Sequence, residues 1–215
     1  MDKKHYGFAA MSCADFIGAL GSSAPVPGGG GASAIAAAIA AALGNMVGCL
    51  TVGKKKYAAV EEELREKMAR CECLQRELQE LADRDAEAFE PLAKAYSLPR
   101  KTPEEIEERE QVMEPALVKA CLVPIEIMEK CCEAVTLLEC FAEKGSVLAV
   151  SDAGAGAAIC AGALKAASLN VFINTGSMKN RETAEAFNAR ADVMLEQYLP
   201  RAEAVYQDVF RRVRT

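Results

Sequence analysis

The residue best suited to chemistry in this chain is Asp85, because its type breaks the pattern in which it stands. From residue 57 to residue 92, every seventh position is otherwise Tyr, Leu or Cys, as on the buried seam of a long helix. A carboxylate on such a seam is costly unless it has partners. The residues alone leave two roles open, a general acid/base or a structural hydrogen bond at a seam end that opens to solvent, and they favour the structural one. Asp83, about 200° away around the helix, is expected to be solvated.

A second chemical feature is the run PVPGGGG at residues 25–31, inside a stretch from 16 to 53 without any charged residue. Glycine allows a backbone to approach a ligand or another backbone with no side chain in between. The alanine-rich segment that follows predicts a helix, whose first N–H groups have no partner within the helix and face whatever lies in front of it. The run therefore predicts a binding platform.

Two polar clusters permit more than one interpretation. Lys54, Lys55 and Lys56 follow the apolar segment, where they would oppose the dipole of the next helix, so they indicate either anion binding or a solvated run of charge. Ser151 and Asp152 precede another segment of small residues and are first of all a helix cap. On composition alone, the structural interpretation is the more common one for both clusters.

Composition and motifs exclude several classes of protein. The net charge of −6 argues against nucleic acid as the main partner. The glycine run lacks the Gly-Lys-Ser/Thr ending of a P-loop and the spacing of a dinucleotide fingerprint. His5 is the single histidine and the nine cysteines lack metal-ligand spacing, so we expect no metal site and no catalytic triad.

The cysteines and the apolar segments also bear on location. Nine is an odd number and no secretory signal precedes them, so we expect reduced thiols in a cytoplasmic protein. Residues 32–52 are long enough to span a bilayer, but their alanine, glycine and Asn45 favour the buried central helix of a bundle, without membrane contact.

The elements that must position these residues are all predicted to be helices. We expect an all-α fold, a multi-helix bundle of about five or six main helices with some kinked at prolines, in one domain over residues 1–215. Ser12 and Thr102 read as helix caps. A helix is expected from 32 to about 53, followed by a long helix that the three lysines open and Pro91 kinks. The next helix should end at Gly145 and bend at Pro115 and Pro124. Two more are expected, one over 153–174 and a last one from about 180 that Pro200 interrupts.

Taken in order, the motifs resemble one family, the formiminotetrahydrofolate cyclodeaminase / methenyltetrahydrofolate cyclohydrolase family, whose domain is fused to a formiminotransferase in vertebrates. The resemblance covers nearly the whole chain, and the ordered set is specific where each motif alone is not. The motifs are SSAPVPGGG at 22–30, AALGNMV at 41–47, LTVGKKKY at 50–57, DAEAF at 85–89, LPRKTPEE at 98–105, SDA at 151–153 and NVFIN at 170–174.

The resemblance implies a helical bundle, a homodimer with active sites near the subunit interface, no metal and no permanently bound cofactor. For Asp85, the resemblance favours the catalytic role over the structural one, and it implies Lys55 as a second catalytic residue. The substrate-binding residues that it implies are Ser23, Pro27, Gly28, Gly29, Gly30, Gly31, Lys54, Asp152 and Asn174. Gly31, where many members have serine, and Ser146, where many have asparagine, depart from the family pattern.

The activity that this resemblance implies is one-carbon chemistry on a tetrahydrofolate derivative. The leading expectation is formiminotetrahydrofolate cyclodeaminase, which gives 5,10-methenyltetrahydrofolate and ammonia, with a separate formiminotransferase as a possible partner. The first alternative is methenyltetrahydrofolate cyclohydrolase, which interconverts 5,10-methenyl- and 10-formyltetrahydrofolate. The second alternative is a non-catalytic helical module that uses the same platform to hold a metabolite or a protein partner.

Overall fold

In the computed structural model, which describes residues 6–214, every regular element is a helix. The α-helices, in chain order, are α1 (Cys13–Leu20), α2 (Gly29–Cys49), α3 (Glu61–Tyr96), α4 (Pro103–Lys144), α5 (Val150–Thr175) and α6 (Arg181–Arg214). Short 3₁₀-helices at Phe8–Ala10 and Lys55–Val60 precede α1 and α3. The predicted all-α bundle is therefore confirmed, and His5 lies outside the described residues.

Four helices form a row, in the order α3, α2, α5 and α6, and α4 packs across it. The two central helices, α2 and α5, run antiparallel, because Gly29 approaches Asn170 while Gly156 approaches Ala40. A Cβ on Gly156 would lie 2.7 Å from Leu138 of α4 and 3.1 Å from the Ala40 carbonyl oxygen. The small residues that dominate α2 and α5 thus let three helices approach closely at the centre of the bundle.

Two predicted helix caps are confirmed. The Ser12 hydroxyl accepts a hydrogen bond from the Asp15 N–H at 3.1 Å and starts α1. Thr102 and Glu105 form a reciprocal capping box at the start of α4, with Pro103 in its first turn. These local patterns were sufficient to predict where the two helices start.

Three other predicted boundaries are wrong. α3 begins at Glu61, where three glutamates fill its first turn and favour the dipole, so the lysines lie before it in the connection and the 3₁₀-helix. α5 begins at Val150, so Ser151 and Asp152 belong to its first turn and provide no side-chain cap. α6 continues through Pro200, because a long packed helix tolerates the loss of one hydrogen bond.

The seam of α3 is buried as predicted, at Leu64, Cys71, Leu78 and Leu92. Asp83 corrects the expectation of solvation, since it is 4% exposed and its Oδ1 accepts a hydrogen bond from the Phe8 N–H at 2.9 Å. The residues before α1 cover this side of α3, an arrangement that helical periodicity cannot reveal.

Large apolar side chains are exposed on the two central helices. We call this surface the central apolar face, and it comprises Ile39 and Met46 of α2 with Ile159, Leu169 and Ile173 of α5. Both helices are long and apolar enough to cross a membrane by length and composition alone, and about half of each is buried in the bundle. Both central helices therefore expose an apolar side, as surfaces that bind another subunit often do.

Candidate active site

Asp85 reaches from α3 to the first turn of α2. Its Oδ2 accepts a hydrogen bond from the Gly31 N–H at 3.0 Å. No side chain of its own segment caps α2, whose N-cap position is taken by Gly28 in an extended conformation. The carboxylate therefore accepts, from a neighbouring helix, one of the N–H groups that a helix start leaves unpaired. The platform predicted from the glycine run thus faces a carboxylate of the protein itself.

Glycine at position 30 is what leaves room for that carboxylate. A Cβ there would lie 2.5 Å from Asp85 Cγ and Oδ2, closer than real Cβ contacts allow. At Gly31 the nearest atoms to a Cβ would be the Ala82 carbonyl oxygen and Pro27 Cβ, both at 3.6 Å, which is ordinary van der Waals contact. The two adjacent glycines therefore differ, because one is required by the Asp85 side chain and the other has space for a methyl group.

A cavity of about 130 Å³ opens beside Asp85. Its wall is mainly apolar, with amide groups at one side. The lining residues are Pro25, Val26, Gly28, Gly29, Asp85, Phe89, Ala120, Pro124, Asn170, Ile173 and Asn174. The Asn174 amide donates to the Ala120 carbonyl oxygen at 3.1 Å, which fixes α5 against α4 at the edge of the cavity. An apolar wall beside one carboxylate suits a flat, largely apolar ring that carries a polar reacting group.

The electrostatics of the cavity prepare Asp85 for proton transfer. Burial raises the pKa of its carboxyl from the ordinary 3.8 to about 6, and the hydrogen bond from the Gly31 N–H opposes part of that rise. A carboxyl with a pKa near neutral pH is present in both protonation states, so it can accept a proton in one step and donate it in another. The side chain that the sequence singled out is therefore poised as an acid/base.

The structure brings together most of the sequence-predicted site. Gly28, Gly29, Asp85 and Asn174 line the cavity, and Gly30 and Gly31 contact the Asp85 carboxylate. Pro27 is buried beneath Gly31, behind a cis peptide bond with Val26. Ser23 is exposed on the connection between α1 and α2 and is not part of the cavity lining.

The remaining predicted residues lie at the opposite end of the central helices. α2 extends for about 30 Å from Gly29 to Cys49, and Lys54 and Lys55 follow its far end. Asp152 lies at the start of α5, whose other end carries Asn174, so the antiparallel pairing places Asp152 on the lysine side as well. Within one chain, Lys54, Lys55 and Asp152 cannot reach Asp85.

This far end is itself well ordered by hydrogen bonds. The Thr51 hydroxyl accepts from the Ser146 N–H at 2.7 Å and donates to the Val47 carbonyl oxygen at 2.6 Å. The Tyr57 hydroxyl accepts from the Val147 N–H at 3.3 Å, and this bond lowers the pKa of the Tyr57 phenol. Ser146 is buried here, so its departure from the family pattern affects this end and leaves the Asp85 cavity unchanged.

Sequence reasoning did not assign seven of the lining residues to the site, and two of them, Phe89 and Asn170, were within reach of it. Phe89 lies four residues after Asp85, and Asn170 lies four residues before Asn174, and all four line the cavity. Positions four apart share one face of a helix, so each residue could have been found as the neighbour of a predicted one.

Comparison with known proteins matches this chain to a described family. Residues 12–193 match the family model described as formiminotransferase-cyclodeaminase. A methenyltetrahydrofolate cyclohydrolase from Methylorubrum extorquens is 39% identical over 198 residues, which cover 92% of this chain and 95% of that protein.

Two other similar proteins carry the cyclodeaminase name. The formimidoyltransferase-cyclodeaminase of Gallus gallus is 31% identical over 92% of this chain, which spans only 36% of that longer protein. The solved structure of a formiminotetrahydrofolate cyclodeaminase from Thermotoga maritima superposes with a TM-score of 0.79 and 29% identity, covering 96% of this chain and 97% of the other.

Proposed function

Because this chain belongs to the formiminotransferase-cyclodeaminase family, we propose that it is a folate one-carbon enzyme in which Asp85 moves the protons. The observation that carries the proposal is the position of Asp85, held at the start of α2 by the Gly31 N–H and open to an apolar cavity. The reaction makes or breaks the one-carbon bridge between N5 and N10 of tetrahydrofolate. It uses no permanently bound cofactor.

The same carboxyl serves either direction of this chemistry. In cyclodeamination, N10 attacks the formimino carbon, Asp85 takes the proton from N10, and ammonia leaves after protonation. In cyclohydrolysis, water attacks the methenyl carbon and Asp85 takes a proton from the water. Asp85 then returns this proton to N5 as the C–N5 bond breaks, and the hydroxyl loses its remaining proton to solvent as the formyl group forms. The ionised form also stabilises the cationic bridge by its charge, which is strongest in a cavity that excludes water.

The two reactions are supported by different comparisons. The relative at 39% identity, matched over nearly the full length of both chains, is named a cyclohydrolase, and this favours hydrolysis of the methenyl bridge. The solved structure with a TM-score of 0.79 is named a cyclodeaminase, which keeps cyclodeamination as the second candidate. In the latter case the formimino substrate would come from a separate formiminotransferase.

Parallel kinetics with the purified protein decide between them. The decay of 5,10-methenyltetrahydrofolate absorbance reports hydrolysis, and release of ammonia from 5-formiminotetrahydrofolate reports cyclodeamination. The reaction with the larger kcat/KM is the function, and Asp85→Asn should abolish it. Turnover of neither substrate by the wild-type protein would refute the proposal and leave a non-catalytic binding module.

We also propose that the chain acts as a homodimer that joins its two separated clusters. The central apolar face is the surface available for a second copy, because its large side chains are exposed in the single chain. A two-fold axis perpendicular to α2 would bring the Lys54 and Lys55 end of one copy to the Asp85 end of the other. There Lys54 would hold an anionic group of the substrate and Lys55 would tune Asp85 by its charge.

Mixed dimers test this arrangement directly. Asp85→Asn and Lys55→Gln should each be inactive alone, but after unfolding and refolding together about a quarter of the wild-type activity should return, since half of the dimers are mixed and each carries one intact site. No recovery would show that each chain uses its own lysine or none. For the interface, Leu169→Glu should give monomers on a sizing column, whereas Val193→Glu on exposed α6 should leave the dimer intact.

A reducing compartment suits this protein. All nine cysteines are free thiols, and burial raises the pKa of Cys71, Cys121 and Cys132 to about 12, which keeps these thiols protonated and unreactive. We therefore propose a cytoplasmic location, which a fractionation of the source cells would check.

A further inference from the structure

The wall that α5 contributes to the Asp85 cavity carries two amide side chains. Asn170 and Asn174 lie about one turn apart on one face of α5, and both line the cavity. The proton transfers proposed at Asp85 use neither of them. Among the side chains that line this cavity, only these two amides and Asp85 carry polar atoms, so further polar contacts with the reacting groups fall to the amides.

The hydrogen bond of each amide determines which way its oxygen faces. Asn170 Nδ2 donates to the Ala166 carbonyl oxygen at 2.9 Å, and Asn174 Nδ2 donates to the Ala120 carbonyl oxygen at 3.1 Å. A carbonyl oxygen only accepts, so the NH₂ side of each amide faces it and the amide oxygen faces elsewhere. Asn170 Oδ1 accepts no hydrogen bond from residues 6–214 and is not fully buried, so it is an accessible acceptor on the cavity wall.

The two amides differ in what they hold together. Asn174 joins α5 to α4 through the Ala120 carbonyl oxygen. The bond of Asn170 stays within α5 and reaches one turn back, to a carbonyl oxygen that also belongs to the helix ladder. The Asn170 amide therefore connects no two helices, and contact with a ligand is the role that its position allows.

Asn170 also contacts the turn of α2 that holds Asp85. A Cβ on Gly29 would lie 3.3 Å from Asn170 Nδ2 and 3.5 Å from its Oδ1, while a Cβ on Gly30 would lie 2.5 Å from Asp85 Cγ. The two side chains thus lie against consecutive residues of α2. Both line a cavity of about 130 Å³, which has room for only about four water molecules. A substrate whose one-carbon unit reaches Asp85 therefore brings the groups on that carbon close to Asn170.

The two proposed reactions bring different hydrogen-bond donors to this place. A protonated formimino group ends in an amino group with two N–H donors. The methenyl carbon carries no N–H or O–H donor, but the water that attacks it has two O–H groups, one for Asp85 and one for a second acceptor. An amide oxygen accepts from the amino group as well as from the water.

We propose that the Asn170 amide oxygen holds the small polar reactant at the one-carbon unit, the attacking water in cyclohydrolysis and the departing amino group in cyclodeamination. This inference rests on the proposed function and adds a second residue to its chemical step. A water that donates one hydrogen to Asp85 and the other to Asn170 turns a lone pair towards the methenyl carbon. Asn170 then orients the nucleophile while Asp85 takes its proton.

Kinetics with 5,10-methenyltetrahydrofolate separate orientation of the water from binding of the substrate. Asn170→Leu keeps the approximate shape of the side chain and removes its acceptor, and Asn170→Ala is a second variant with a smaller side chain. Each should lower kcat by about 10- to 100-fold and leave KM within a few-fold of wild type, because the methenyl bridge donates no hydrogen bond. Gln207→Leu, which removes an exposed amide of α6, is the matched control and should behave as wild type.

Binding without turnover gives an independent measurement. In the Asp85→Asn protein, calorimetry compares 5-formiminotetrahydrofolate with 5-formyltetrahydrofolate, which has an oxygen in place of the amino group. Adding Asn170→Leu should weaken the formimino ligand by about 10- to 100-fold, because a hydrogen bond from a charged group is lost. Affinity for the formyl ligand should stay within a few-fold, because its oxygen has no hydrogen to donate.

The outcomes separate this inference from the proposed function. Equal weakening of both ligands, or of neither, would overturn the role of Asn170 even if the wild-type enzyme is active. A raised KM for the methenyl substrate with kcat unchanged would overturn it too, since Asn170 would then bind the folate itself. Selective weakening of the formimino ligand, where the wild-type protein turns over neither substrate, would support the contact and refute the reaction. Circular dichroism of each variant confirms that its fold is retained.

Discussion

Replacement of Asp85 by asparagine should inactivate the enzyme and stabilise the fold in one step. Asparagine has nearly the same shape, and its amide oxygen can still accept the Gly31 N–H, so the start of α2 should be preserved. It cannot exchange a proton near neutral pH, and loss of a positioned acid/base costs typically 10²- to 10⁴-fold in rate. The wild-type kcat/KM profile should inflect at the pKa of Asp85, which burial raises to about 6 in the single chain and which the charge of Lys55 from a second copy would lower, and the variant should lose that inflection.

The gain in stability follows from the direction of the pKa change. Folding raises the pKa of Asp85 from 3.8 to about 6, so the folded protein binds this proton more tightly than the unfolded chain does. The contribution of Asp85 to the free energy of unfolding is therefore most favourable below about pH 4. It declines as the pH rises from there through 6. The full decline corresponds to about 3 kcal/mol at pH 8, and asparagine removes it.

Urea denaturation of both proteins at pH 4.5, 6 and 8, at one protein concentration, measures this difference. The variant should exceed wild type by about 2–3 kcal/mol at pH 8, or by several degrees in Tm, and by clearly less at pH 4.5. An Asp85→Asn protein no more stable than wild type at pH 8, or more stable by the same amount at every pH, would contradict the reasoning. Asp83→Asn removes a buried carboxylate that bonds the Phe8 N–H outside the cavity, so it should leave kcat unchanged.

Glycine substitutions test the same geometry from the backbone. Gly30→Ala should cost at least about 10²-fold in kcat, because its methyl group displaces the Asp85 carboxylate, whereas Gly31→Ala has space and should stay within a few-fold of wild type. Comparable kinetics for the two variants would exclude steric control of Asp85. Gly156→Ala should lower the free energy of unfolding by about 1–3 kcal/mol through its clash with Leu138, while Gly18→Ala, with open space on α1, should raise it by about 0.5–1 kcal/mol. Equal unfolding free energies would show that the central helices can separate to admit a methyl group.

Local sequence signals predicted the parts of the fold that local forces determine. The capping box at Thr102 and the heptad seam of α3 gave the start of one helix and the buried side of another. They failed at Asp83, because the Phe8 segment that covers it is distant in sequence. They failed again at the lysines, because the glutamates from Glu61 onward make a better first turn for α3 than residues 54–56 do.

The same holds for the site, where local sequence patterns identified some residues and tertiary packing determined the positions of others. Asp85 was recognisable as a residue out of pattern, and its neighbour Phe89 was within reach of the same periodicity. The separation of Lys55 from Asp85 could not be predicted, because it depends on the length of α2 and on its antiparallel packing against α5. A resemblance transfers residue roles without distances, so it assigned to one site groups that a single chain keeps about 30 Å apart.

The glycine run and Asp85 together determine the protonation of the Asp85 carboxyl. A helix start favours a nearby negative charge, and this alone would keep Asp85 ionised, whereas burial favours the neutral form. Because position 30 has no side chain, the Asp85 carboxylate lies close to the start of α2 while it is buried. The two opposing effects together place its pKa near neutral pH. A side chain at position 30 would move Asp85 away from the Gly31 N–H and disturb that balance. The glycines of this chain therefore adjust the pKa of a carboxyl of the protein itself, whereas similar runs in phosphate-binding loops bind the charge of a ligand.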